Sequence, residues 1–178
     1  KILAISGSGR AASTNTAMLN AVADISGANF QVTVFSEIAT LPVFSPDAES
    51  EPLPFAVQSF IDRIRENDGL IISSPEYVRA IPGGLKNAID WLVSREEIID
   101  KPIMLMHASH RGDDMLAQLR LVLSTVSDRF YGDLFLRFDL MKLTPEEILR
   151  VVTAPVNQRS ILDLLKRFEK MSATSVFE

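Results

Sequence analysis

Cysteine is absent from this chain of 178 residues, which excludes disulfides, thiol redox chemistry and cysteine-rich zinc sites. Histidine occurs only twice, as His107 and His110. No carboxylate cluster stands beside either in sequence, so no metal site is expected; His107 reads as a core residue at a strand end and His110 as a loop residue. Basic residues are outnumbered, 18 against 23 acidic, giving a net charge of −5. That balance supplies neither a basic stripe for a nucleic-acid backbone nor a Lys/Arg cluster for a membrane surface. Apolar runs stop well short of the ~18 residues that a membrane span requires. No stretch has the order of a signal peptide, and with cysteine also lacking the expectation is a cytoplasmic protein. The chain opens on Lys1 rather than Met, directly in an expected strand, so trimming of the true start is expected.

What remains is the balance of a globular protein, 47% hydrophobic and 23% charged, long enough for one domain with a sizeable core. Short aliphatic runs recur: Ile2 to Ile5, Val32 to Phe35, Leu70 to Ile72, Ile103 to Met106 and Leu134 to Phe138. They do not alternate polar with apolar, so they read as strands buried on both faces. Between them, apolar residues return at i, i+3, i+4, i+7, as in Met18, Ala21, Val22 and Ile25, or Val57, Phe60, Ile61 and Ile64. The same period runs through Leu85 to Leu92, Met115 to Val126 and Ile161 to Phe168. Five alternations of strand and helix predict a doubly wound parallel sheet, with residues 1–178 as one domain. In "LTPEEI", Thr144, Pro145 and Glu147 have the spacing of a capping box, so a further short helix is expected there. "LPVFSPDAESEPLPF" (41–55) reads as a Pro-rich loop inside the domain.

In such sheets ligands bind beyond the carboxyl ends of the strands. The unusual residues gather there, after the first, third and fourth strands: "SGSGRAASTN", "SSPEYVRAIPGG" and "HASHRGDD". A glycine-rich turn ahead of a helix lets an anion approach unpaired backbone N–H groups. Ser8, Ser13, Asn15 and Thr16 add side-chain donors, and Arg10 adds a charged fork suited to a terminal phosphate. Two other readings stay open. Ser13 or Asn15 caps the helix while the glycines merely make the turn; or Gly7, Gly9 and Ala12 form the G-x-G-x-x-A of a dinucleotide site, with Glu37 as its ribose acid. In the second loop Pro75, Pro82 and Gly83 stiffen both ends, so that backbone groups of Glu76, Tyr77 and Val78 can face a flat heterocycle. Trp91 reads as a core or subunit-interface anchor.

"GSGRAASTN" and "SPEYVRAIPGGLKNAIDW" together resemble the phosphate loop and the P-E-Y…P-G-x-L-K-N-A-I-D-W signature of the NAD(P)H-dependent FMN reductases, over roughly residues 1–125. That family is flavodoxin-like and includes quinone, azo-dye and chromate reductases. The resemblance implies strand order 2-1-3-4-5. It assigns the FMN phosphate to Ser8, Arg10, Ser13, Asn15 and Thr16. The isoalloxazine falls to Pro75, Glu76, Tyr77 and Val78, with Ser109, Arg111 and Gly112 from the loop after strand four. It further implies hydride transfer from NAD(P)H through FMN to a quinone or similar small acceptor, no catalytic protein acid or base, and a homodimer or homotetramer. The chain departs from the family at Val78, where Asn commonly follows Pro-Glu-Tyr, and in the loop after strand four, which tends to be rich in glycine in relatives and reads "SHRGDD" here, with Asp113 and Asp114 bringing negative charge where an anionic cofactor or nicotinamide nucleotide would approach. Those departures keep a second expectation in play, an FMN-binding electron-transfer or redox-sensing module without efficient turnover. A Rossmann dehydrogenase without flavin is a poorer third, since no catalytic Ser/Tyr/Lys or His/Arg set stands out.

Overall fold

The uninterrupted apolar runs become the middle of the sheet. In a computed structural model that describes residues 1–27, 29–49 and 52–173, β1 (Ile2–Ser6), β3 (Gly69–Ser73) and β4 (Ile103–His107) are buried at every position. β2 (Val32–Phe35) and β5 (Phe130–Arg137) complete an all-parallel sheet in the order β2-β1-β3-β4-β5. This is the flavodoxin-like order. Residues 50 and 51 of the Pro-rich loop lie outside the described residues, as do 174–178 at the end of the expected domain.

The outer strands correct the expectation of burial on both faces. β2 and β5 sit at the sheet edges and are largely half-buried or exposed, because an edge strand lacks a neighbour on one side. β5 also begins at Phe130, before the expected Leu134. Gly132 and Asp133 interrupt its apolar pattern, and its pairing with β4 shifts register between Ile103 and Leu105.

Side chains alternate across the pleat, which divides the core in two. Leu3 and Ile5 of β1 face one layer, built with α2 (Phe55–Glu66), α3 (Gly83–Asp90), the single turn α4 (Glu96–Ile99) and α5 (Asp113–Val126). Ile2 and Ala4 face the other, built with α1 (Thr14–Ser26), α6 (Pro145–Val152) and α7 (Pro155–Ala173). Five of these helices carry the expected periodic residues, and α6 starts with the expected box: the Thr144 hydroxyl accepts from the Glu147 amide, and the Glu147 carboxylate accepts from the Thr144 amide. Trp91 is fully buried, its Nε1–H donating to the Pro42 carbonyl at 2.8 Å and its ring edge-on to Phe44. It is a core anchor, not an interface residue. Asn87 binds the same loop, donating to the Pro42 carbonyl and accepting from the Phe44 amide.

β1 and β3 are neighbours, yet the helices that follow them lie on opposite faces of the sheet. This reversal of winding opens a crevice at their carboxyl ends. Among the described residues no helix is long and apolar enough to cross a membrane.

Candidate functional site

The loop after β1 leaves the sheet through the Gly7 amide, which donates to the Ser73 carbonyl at 2.7 Å, and is then held by short-range hydrogen bonds. The buried Ser8 hydroxyl accepts from the Arg10 amide at 3.3 Å. Ser13 takes the N-cap position of α1, with extended backbone and its Oγ accepting from the Thr16 amide at 3.2 Å. That cap uses one of the first-turn amides and leaves others for a ligand or water. The Thr16 hydroxyl donates inward to Ser6, and the Asn15 carboxamide oxygen accepts from Ser73 at 2.8 Å, which ties α1 to the end of β3. No acidic residue occupies the first turn of α1. Arg10 is exposed, and none of the ion pairs among the described residues uses it.

The loop after β3 is built differently. Tyr77 and Ala80 exchange both backbone hydrogen bonds, at 3.2 and 3.0 Å, around a two-residue turn. Val78 and Arg79 fill its centre with φ of 52° and 59°. Two successive positive φ values fit a turn that favours Asn-Gly, and a β-branched residue there is strained. Long-range ties hold this strain in place. The Glu76 carboxylate accepts from the Met115 amide at 3.1 Å, capping α5 from another loop. Arg79 pairs with Asp114 at 2.5 Å, and the Arg79 carbonyl accepts from Gln118 at 2.9 Å. The arginine lowers the Asp114 pKa below the usual carboxylate value.

The loop after β4 turns over a histidine. Gly112, the N-cap of α5, has φ 102°, and a Cβ added to it would lie 2.8 Å from His107 Nε2. His107 Nε2 is 2.5 Å from the Arg111 carbonyl, which can only accept, so the N–H belongs on Nε2. Burial is the main cause that pushes the imidazole pKa down; the carbonyls of Arg111 and Ser74 oppose it, while the charge on Arg137 adds to it. Nδ1 is therefore the lone-pair nitrogen; it is buried and makes no hydrogen bond of good geometry among the described residues, although the Ser74 carbonyl lies near the ring. The Ser109 hydroxyl accepts from the Arg111 amide at 3.0 Å. Asp113 pairs with Arg137 as Asp114 pairs with Arg79, so the two aspartates are neutralised where the sequence suggested bare negative charge.

These elements enclose a cleft of about 330 Å³ at the switch point. Asn15, Pro75, Glu76, Ser109, Arg111 and Gly112, all read as site residues from sequence, share its wall. Thr14, Ser74, His107, Ala108 and Met141 line it too and were missed. His107 did carry a signal, as the one polar residue closing the apolar run "IMLMH". Ser13 and Thr16 border an adjoining groove of about 380 Å³ between α1 and the start of α6, whose far wall includes Leu143 and Leu149. Thr14 belongs to both hollows. Ser8, Arg10, Tyr77 and Val78 border neither; Ser8 is turned inward, Val78 is 98% exposed and Tyr77 44%. A larger hollow of about 510 Å³ opens beside Lys1, Thr33, Phe55 and Arg63. It lies away from the carboxyl ends of β1, β3 and β4 and holds none of the residues described above, so the smaller cleft is the functional candidate. A dianionic phosphate with a ribityl chain and a flat ring fits the donors gathered here: an acid-free helix start, Arg111 in the cleft wall and Arg10 in the turn that leads into α1, neither of them in an ion pair among the described residues.

The family model described as NADPH-dependent FMN reductase matches residues 1–133. A quinone reductase of Escherichia coli (strain K12) is 33% identical over 112 residues, covering 61% of this chain and 60% of that protein. A 2-hydroxy-1,4-benzoquinone reductase of Burkholderia sp. is 40% identical over 91 residues, 51% of this chain and 49% of the relative. The chain thus matches about half to three fifths of the length of these curated relatives. Among solved structures, the flavoenzyme NAD(P)H:(acceptor) oxidoreductase FerB of Paracoccus denitrificans superposes with a TM-score of 0.73 at 21% identity, over 96% of this chain and 97% of that one. An NADH:FMN oxidoreductase in its apo form gives 0.68 at 17% identity, over 98% and 91%.

Proposed function

The chain belongs to the NADPH-dependent FMN reductase family, and on that premise we propose that it is an FMN-dependent oxidoreductase working between NAD(P)H and a quinone or similar small acceptor. Bound FMN supplies the redox chemistry, accepting a hydride from the nicotinamide and passing electrons to the acceptor. The observation that carries this reading is the meeting of the α1 N-terminus with the loops after β3 and β4 in one cleft at the switch point. Arg10, Ser8, Ser13, Asn15 and Thr16 are assigned to the phosphate end. Arg10 supplies charge, the first-turn amides of α1 supply donors, and Ser13, Asn15 and Thr16 hold those amides in place through their own hydrogen bonds. Pro75, Glu76, Tyr77 and Val78, with Ser109, Arg111 and Gly112, are assigned to the ring. Glu76 contributes through its backbone, because its carboxylate is already committed to Met115. No protein acid or base is assigned to the chemistry.

We read the whole chain as one such domain, cytoplasmic, and paired as a homodimer or homotetramer. Support for pairing comes from exposed apolar side chains around the ring loop and α5, Val78 and Leu121 among them; the buried Trp91 lends none. Protein purified without added cofactor is expected to show a flavin absorbance spectrum, to bind one FMN per chain, and to oxidise NAD(P)H when a quinone is supplied. A protein that binds FMN yet gives no nucleotide oxidation with any quinone would favour the electron-transfer module. Light scattering reports the subunit number, and a monomer with flavin bound would end the pairing proposal.

A further inference from the structure

His107 is fully buried at the end of β4, in a chain with only one other histidine. Its ring lies under Gly112, whose φ of 102° and missing Cβ make the space that the imidazole fills. Its Nε2–H closes a hydrogen bond to the Arg111 carbonyl four residues on, so the turn 108–112 is folded around this one side chain. On its other side the space above Gly112 is bounded by Glu76, the residue that links the loop after β3 to α5. The imidazole is thus the pivot between the two loops that form one wall of the cleft. The same side chain places Nδ1 in a buried position where it makes no hydrogen bond of good geometry among the described residues. An apolar side chain of similar size would bury no such atom, and would lose the hold on Arg111.

We propose that His107 is a positioning residue for cofactor binding: it sets the shape of the 108–112 turn through the Arg111 carbonyl and Gly112, and so presents Ser109, Arg111 and Gly112 to the flavin ring. This rests on the reading of the cleft as an FMN site. Because the turn serves the ring end, its shape governs FMN and riboflavin alike. Arg10 at the phosphate end governs FMN alone.

The test measures three quantities on the full-length protein: urea stability of the cofactor-free form, and the affinities for FMN and for riboflavin by flavin fluorescence. His107→Leu should be at least as stable as wild type, and should bind both flavins about tenfold more weakly, the scale of one lost hydrogen bond, with their affinity ratio unchanged. His107→Gln, whose amide N–H can still reach the Arg111 carbonyl, should recover most of the lost affinity. Arg10→Ala supplies the contrast, lowering that ratio. If His107→Leu binds both flavins as wild type does, the positioning role is wrong. It is equally wrong if His107→Leu loses stability and affinity together and His107→Gln restores neither, since His107 is then a core residue only. Wild-type protein that binds neither flavin would overturn the cofactor reading itself, a result distinct from either of these.

Discussion

The turn after β1 leads into the α1 start that meets the paired turns after β3 and β4 in one cleft, but the two regions are stabilised in different ways. The first turn closes mainly on itself, through Ser8 with Arg10 and Ser13 with Thr16, is tied to the end of β3 only where it enters at Gly7 and leaves at Asn15, and holds no residue with positive φ. The second region contains Val78, Arg79 and Gly112 at positive φ and is held by contacts reaching 35 to 39 residues along the chain, Arg79 to Asp114, Glu76 to Met115 and Arg79 to Gln118. Local closure gives a turn that one helix start can carry. Strain held by distant ties gives a surface whose shape depends on the whole sheet. Backbone strain of this kind collects at functional sites, where surrounding structure over-determines it.

The sharpest way to break the comparison is to add one methyl group to each region. Gly112→Ala meets His107 Nε2 at 2.8 Å and must also hold φ 102°, so it should cost about 2–4 kcal/mol in urea denaturation. Gly7→Ala meets Leu85 Cδ2 at 2.8 Å and Ser74 Oγ at 2.9 Å but needs no unusual φ, and should cost about 1–2 kcal/mol. Equal losses would mean that backbone strain plays no part in the second region. Removing His107 as well, as His107→Ala, should recover part of the Gly112→Ala loss, a coupling readable from a double-mutant cycle.

Charge separates the regions next. Arg10→Ala should weaken FMN binding by ten- to a hundredfold, about 1.5–3 kcal/mol, while leaving riboflavin binding and the turnover of flavin-saturated protein nearly unchanged. If Arg10→Ala instead abolished turnover at full FMN occupancy, the first turn would have to be reassigned to the nucleotide.

Relieving the strain should sharpen the contrast from the other side. Val78 is 98% exposed and buries nothing, so Val78→Asn, which tolerates the left-handed region, should stabilise the protein by about 1 kcal/mol. A loss of thermal stability on this substitution would indicate that Val78 makes a contact, and an oligomer interface would be the place to look.

The smallest effect is a pH slope. The folded-state pKa of His107 lies below its ordinary value of about 6.5. As pH falls through that value, unfolded chains take up a proton that folded chains do not. Stability contributed by the neutral imidazole is therefore complete above about pH 6.5 and declines toward the depressed native value. Urea midpoints of cofactor-free protein should fall across this window, and His107→Leu should lose that part of the slope. The carboxylates whose pKa values are lowered, Asp114 by Arg79 and Asp139 by His110, act in the same sense but further down, their contribution present above the ordinary carboxylate range and lost as pH falls through their native values.

The sequence by itself determined the kind and order of the elements. A run such as Leu3, Ala4, Ile5 or a period such as Val57, Phe60, Ile61, Ile64 records burial locally, and the Ser13 cap and the Thr144 box are both complete within four residues. It also marked the three loops, since glycine, arginine and hydroxyl residues are conspicuous behind apolar strands. Tertiary structure decided which of those residues meet. The Asp113 and Asp114 charges looked unopposed because their partners, Arg137 and Arg79, stand 24 and 35 residues away. His107 looked like ordinary core because its neighbour Gly112 reveals its positive φ only once α5 is docked on the sheet. Thr14 and Met141 share a cleft although they come from α1 and from the loop after β5. Periodicity reports the burial of a residue against its own helix or strand, an interaction of range three or four along the chain. The meeting of loops is set by strand order, which inserts β3 between β1 and β4, and hydrogen bonding across that order leaves no repeating mark in the sequence.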